Sequence, residues 1–374
     1  MRIAFITMMA TAPWGGSEAL WGETAHRAIE AGHDVFVSIY GWPETPNVVR
    51  TLAERGAIID RRELSKRRRR SAIFNALFYQ FKALHEFRPD AILISQGSTY
   101  DVSRGKEFKR LRRALLDTQR WPYVLLCHCE QRSPRNQRAV RRAREAFQAA
   151  RIVGMLSSNL RARSEAHLGT RIENSRIFQN PLNVSAIRPL PWPTGQTLRF
   201  AFVGRIEPVK GLDLAIQVFD SPAWRERDWI LDIYGSGDSQ TDLEDQVRAR
   251  GLEARIRFPG FCSDIDAVWR DHHALMLPSR AEGVPNSMLE AMLSARPVIV
   301  SNVGGIREWV TDSETGYVLP QPDAVSLTDA IERLWRDRGK LEQIGMAAHE
   351  RTLARRDQDP AGTLLRWLEE IAGR

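Results

Sequence analysis

Short runs of β-branched and other apolar residues alternate along this chain with longer stretches of helical periodicity. In the first half the strand-like runs are residues 3–8, 34–40, 91–95, 123–127 and 152–156. The alternation restarts with runs at 199–203, 230–234, 256–258, 274–277 and 298–301. Strand and helix taking turns predict an α/β fold with mostly parallel sheets. Between the halves, Asn180-Pro-Leu-Asn183 leads to Arg188-Pro-Leu-Pro-Trp-Pro-Thr-Gly195, whose prolines favour an extended linker. The expected layout is a first domain over 1–185, a second over 186–355, and a C-terminal helix in 356–374 packing back on the first.

Two segments at predicted strand ends carry candidate chemistry. Phe202-Val-Gly204-Arg205-Ile-Glu-Pro-Val-Lys210-Gly211 runs from a strand through two cations into a helix-like 212–219. An Arg fork and a mobile Lys ammonium suit a diphosphate, although two solvated surface cations would read the same way. In Ser279-Arg-Ala-Glu282-Gly283-Val284-Pro285-Asn286-Ser287-Met-Leu-Glu290-Ala291, Pro285 is pre-set for a first helical turn. Glu282 then lies just ahead of the helix, near free backbone N–H groups that can hold phosphate, and Glu290 lies further along it. The competing reading of Ser287 to Glu290 is a capping box. Ligands of open parallel sheets bind beyond the carboxyl ends of strands, where both segments fall.

In the first half, Gly15-Gly16 follows the first strand and precedes a helix predicted over 18–31. It is a tight turn or an anion contact, and it is not the Gly-x-Gly-x-x-Gly of a nicotinamide site. His128 follows the apolar run 123–127 and is expected at that strand's carboxyl end, either as an ordinary histidine or as a site residue.

A chain of 374 residues, 43% hydrophobic and 27% charged, fits two folded domains and excludes wholesale disorder. No apolar run approaches the roughly 20 residues of a membrane span, and Met1-Arg2 leads directly into a strand, so a cytoplasmic location is expected. Cys127, Cys129 and Cys262 are too few for a disulfide framework and are expected as buried thiols. Charge is unevenly divided: residues 1–185 hold 31 Lys and Arg against 17 Asp and Glu, a balance of +14, whereas 186–374 stand at −6. The basic half should face an anionic partner.

Taken in order, the Gly15-Gly16 loop, Gly204-Arg205 with Lys210-Gly211, Tyr234-Gly-Ser-Gly237, Phe258-Pro-Gly260-Phe261, Glu282 to Ala291 and Gly304-Gly305-Ile-Arg-Glu308 resemble the retaining glycosyltransferases of family four. The resemblance extends over nearly the whole chain. It implies a GT-B architecture of two facing Rossmann-like domains with an interdomain cleft, and transfer from a nucleotide-diphosphate sugar of UDP or GDP type to a sugar or lipid-linked hydroxyl acceptor. It further implies that Glu282 binds donor-sugar hydroxyls, Glu290 the ribose, and Arg205 and Lys210 the diphosphate. The Phe261 region would meet the base, and Gly16 the phosphates from the other domain. His128 would contact the sugar, and Gly15, Gly204, Gly283, Val284, Asn286 and Ser287 would complete the donor site. Cations would act in place of a metal, so no metal ligand and no cofactor are assigned. Two positions depart from the family's habit: Cys129 follows His128 where an acidic residue is common, and Asp238 stands where relatives often have Pro.

Lys66-Arg67-Arg68-Arg69-Arg70 precedes Ile73, Phe74, Leu77, Phe78, Phe81 and Leu84 at helical spacing. The stripe reads as core packing or, with the cations, as a docking element for an anionic membrane at its inner face. A nucleotide-sugar epimerase is the alternative enzyme. A nucleic-acid-binding role is disfavoured by the lack of any recognisable reading motif.

Overall fold

The computed structural model describes residues 1–9, 14–62, 81–103, 111, 121–129, 136–184 and 187–373. The chain forms two compact units, Met1–Pro181 with Asp357–Arg374, and Leu182–Arg356. The first crossing thus falls four residues ahead of the 185/186 boundary read from the sequence, and the second one residue after 355/356.

Unit 1 is built on a seven-stranded sheet: β1 (Arg2–Thr7), β2 (Asp34–Tyr40), β3 (Ile58–Arg62), β4 (Ala91–Ser98), β5 (Tyr123–Cys129), β6 (Ile152–Met155) and β7 (Ser175–Ile177). Their spatial order is β3-β2-β1-β4-β5-β6-β7, every pair parallel. The central strands are apolar along their length because helices cover both faces. Ile3, Ala4, Ile92, Leu93, Val124 and Leu125 have no exposed surface.

The final helix, Pro360–Ile371, is part of unit 1. Asp359 caps it by accepting from Gly362 N at 3.1 Å, Thr24 Oγ1 reaches Ala361 O at 3.4 Å, and Arg176 holds Glu370 through two bonds of 2.6 and 2.5 Å. Gly154 leaves room on β6 for Leu126, Phe178 and Trp367 of that helix, which a Cβ there would meet.

Unit 2 holds β8 (Leu198–Val203), β9 (Trp229–Tyr234), β10 (Ile256–Gly260), β11 (Ala274–Leu277), β12 (Val298–Ser301) and β13 (Gly316–Leu319), ordered β10-β9-β8-β11-β12-β13 and again all parallel. Its core includes Phe219 stacked on Trp229, ring centroids 4.1 Å apart, with Trp224 edge-on to both.

The three strands not anticipated, β3, β7 and β13, all lie at sheet edges. Edge strands are covered on fewer sides, so Ile58-Ile-Asp-Arg-Arg62 and Ser175-Arg-Ile177 lack the apolar run that marks a central strand. Of the thiols, only Cys127 is buried; Cys129 and Cys262 are partly exposed, which corrects the expectation for those two. The cationic run 66–70 and most of the apolar stripe lie outside the described residues. Of that stripe, Phe81 and Leu84 are buried, and Leu84 lies in the helix Lys82–Phe87. Among the described residues no helix is long and apolar enough to cross a membrane.

Candidate active site

The carboxyl ends of β8, β9, β10, β11 and β12 end in glycine-rich loops that pack backbone against backbone. Gly204 (φ 156°) donates to Tyr234 O at 3.0 Å, Gly235 (φ 131°) to Gly260 O at 2.9 Å, and Ile206 to Ser236 O at 2.9 Å. A Cβ on Gly235 would overlap the Gly204 carbonyl, and one on Gly304 the carbonyls of Glu282 and Gly283. These glycines are required because two main chains occupy the space a side chain would take. Gly305 N donates to Gly283 O at 2.7 Å, tying the loop after β12 to the loop after β11.

On this crest Lys210 ends a short 3-10 turn, Pro208–Lys210, and Gly211 (φ 71°) turns the chain into the helix Leu212–Phe219. Lys210 Nζ donates to Glu282 Oε1 at 2.7 Å, and Ser279 Oγ donates to the same oxygen at 2.7 Å. Their side chains are 17% and 10% exposed, so water screens the pair only partly. Arg205 is different: more than half exposed, it pairs with Glu207 at 2.6 Å. The structure therefore brings together Lys210 and Glu282, 72 residues apart, with Arg205 on the solvent side.

Glu282 lies ahead of the helix Asn286–Leu293, as expected, but Pro285 is the residue before the first turn rather than within it, with ψ 126°. No side chain caps this helix, so the capping-box reading of Ser287 and Glu290 does not hold. Glu290 is buried and accepts from Asn183 N at 3.1 Å; burial raises its carboxyl pKa above the ordinary value. Gly283, Asn286 and Ser287 are partly buried around the same turn, and Val284 packs on the core. Phe261, just past β10, is 84% exposed, a ring with little holding it.

In unit 1, Gly15 precedes the helix Gly16–Glu30. His128 lies inside β5, which runs two residues beyond the predicted end. It is buried, its Nε2 is 3.2 Å from Ser95 Oγ, and its ring meets Phe178 edge-on at 5.1 Å. Burial brings its pKa down to about 3, so the imidazole is neutral at pH 7.

Three contributors were not read from the sequence. Ser279 shares Glu282, Asn183 meets Glu290, and Glu18 is buried under the first helical turn of unit 1, accepting from Ser17 and, at 3.1 Å, from Thr7 Oγ1. Burial raises the Glu18 pKa. Only Glu18 had a signal, an acid set against Leu20 and Trp21. Two Asp-x-Asp pairs are used in capping and turn contacts: Asp264 accepts from Ala267 N at 3.0 Å ahead of buried Asp266, and Asp357 accepts from Asp359 N at 2.9 Å.

Residues 190–351, which fall within unit 2 and include this crest, match the family model of glycosyl transferases group 1. That stretch is a glycosyl transferases group 1 domain. It resembles alpha-D-kanosaminyltransferase of Streptomyces kanamyceticus, 32% identical over 166 residues, 44% of this chain and 43% of that protein. It also resembles the 2-deoxystreptamine glucosyltransferase of the same organism, 29% identical over 171 residues, 44% of each chain. The chain thus spans under half the length of these relatives. Over 99% of both chains the fold matches HepE of Anabaena in complex with UDP, TM-score 0.74 at 18% identity. It matches sucrose-phosphate synthase of Thermosynechococcus elongatus over 99% of both chains as well, TM-score 0.75 at 19% identity. The architecture is accordingly GT-B.

Proposed function

We propose that the chain is a retaining glycosyltransferase that moves a sugar from a nucleoside-diphosphate donor of UDP or GDP type to a hydroxyl of a sugar or lipid-linked acceptor, in polysaccharide, glycolipid or other glycoconjugate synthesis. The observation that carries the reading is the Lys210–Glu282 pair at the carboxyl ends of β8 and β11. When the bond from the anomeric carbon to the diphosphate breaks, negative charge grows on the leaving oxygen. Lys210 and Arg205 are the groups that would meet it, an electrostatic role that needs no metal. Glu282 would orient donor-sugar hydroxyls, with Ser279 and Lys210 holding its other bonds. In a front-face displacement the leaving phosphate takes the acceptor proton, so the role of Glu282 is binding, and glycosidase logic with paired carboxylates does not apply.

The relatives' sugar transfer and the UDP held by HepE support the donor class. The test is a thermal-shift screen against UDP- and GDP-sugars, followed by NMR of the product's anomeric configuration. Stabilisation by a nucleotide sugar and retention of configuration are expected. No shift with any donor, or an inverted product, would overturn the reading.

A further inference from the structure

A flexible ammonium on a three-residue turn is poorly fixed by its own segment. The Pro208–Lys210 turn makes two local bonds of its own, Lys210 N to Glu207 O at 2.9 Å and Gly211 N to Pro208 O at 3.3 Å. Lys also has four rotatable carbons, so its placement depends on what holds the turn. One residue grips it from both sides. Arg280 N donates to Val209 O at 2.7 Å, and Arg280 Nη1 donates to Pro208 O at 2.7 Å, just ahead of Lys210. Just beyond Lys210, Asp213 in the first turn of the helix Leu212–Phe219 accepts from Arg280 Nη1 at 2.8 Å and Nη2 at 2.6 Å. Arg280 is itself two residues from Glu282.

We propose that the Arg280–Asp213 pair is a positioning clamp that sets the Lys210–Glu282 distance, and so aligns the cation with the departing diphosphate. The inference rests on the proposed transfer function for its catalytic meaning. It does not act through stability: Arg280 and Asp213 are 31% and 43% exposed, and exposed ion pairs contribute little to folding. What the pair supplies is geometry. The planar fork binds a carboxylate and a carbonyl at once, which an ammonium cannot reproduce.

The experiment compares Arg280→Lys, Arg280→Ala and Asp213→Asn with the wild type by donor kinetics, thermal melting and crystallography. The expected result is a kcat lower by roughly tenfold to a hundredfold, the scale of a misplaced catalytic group. Donor KM should change far less, melting should stay near wild type, and the Lys210 Nζ to Glu282 Oε1 distance should open beyond 2.7 Å. Arg280→Lys should not rescue, because charge alone is insufficient, whereas added guanidinium should partly restore Arg280→Ala. Wild-type kcat in the variants, an unchanged Lys210–Glu282 distance, or a kcat loss that merely tracks a lowered melting temperature would overturn the clamp. A wild-type protein that transfers no sugar would instead sink the proposed function, and the crystallographic distance would still decide the clamp.

Discussion

Lys210 Nζ lies 2.7 Å from Glu282 Oε1, although the two residues come from the ends of different strands, β8 and β11. Each leaves the other's charge partly withdrawn from water, so removing one exposes a mismatch as well as losing a contact. Glu282→Ala and Lys210→Ala should each lower sugar transfer by about a hundredfold, the equivalent of about 3 kcal/mol of transition-state stabilisation. Far-ultraviolet circular dichroism should remain that of the wild type. Near wild-type turnover in either variant would remove the site assignment.

Arg296 has no exposed surface and donates to main-chain carbonyls on three segments. They are Trp269 and His272 at 2.8 Å, Ser294 at 2.9 Å, and Pro191 of the linker at 2.6 Å. Burial lowers its guanidinium pKa to about 10. Arg296→Met would strand these carbonyls and should cost about 3 kcal/mol or more. Urea unfolding followed by tryptophan fluorescence should show the lowered midpoint, and an unchanged midpoint would contradict the role.

His128 has a definite acid signature. Its folded pKa of about 3 lies below the ordinary 6.5, so between those values the unfolded chain binds a proton that the folded chain does not. Stability is therefore full above pH 6.5 and falls as pH drops towards 3, by about 1.4 kcal/mol per pH unit for one such group. His273, lowered to about 4 chiefly by burial, adds to the same trend. His128→Gln should unfold less steeply with acid between pH 6.5 and 4 than the wild type. An identical slope in the two proteins would show that His128 titrates normally.

Replacing Lys66 to Arg70 with Gln should weaken binding to anionic vesicles, since each cation near such a surface is worth about 1 kcal/mol. Co-sedimentation at low salt measures it. A wild-type protein that stays in the supernatant would mark the run as a solvated face.

Where apolar residues are continuous, as in 123–127 and 274–277, element and position were legible, because central strands buried on both faces must be apolar throughout. β3 and β7 were not, since edge strands tolerate Asp60, Arg61 and Ser175. The glycine loops and Glu282 were legible as strand-end chemistry. The pairing of Lys210 with Glu282 was not, because only the sheet order β8-β11 puts segments 72 residues apart side by side. For the same reason the Glu290 to Asn183 contact had no local signal, and the local pattern pointed to a cap that the helix does not use.

The central claim is that cations of unit 2 carry the departing diphosphate without a metal. The direct measurement is nucleoside diphosphate release coupled to acceptor glycosylation after exhaustive dialysis against EDTA, in the wild type and in Lys210→Ala. The account predicts undiminished turnover in the dialysed wild type and a loss of about a hundredfold in the variant. Turnover abolished by EDTA and restored by magnesium or manganese, or a Lys210→Ala protein as active as the wild type, would contradict it.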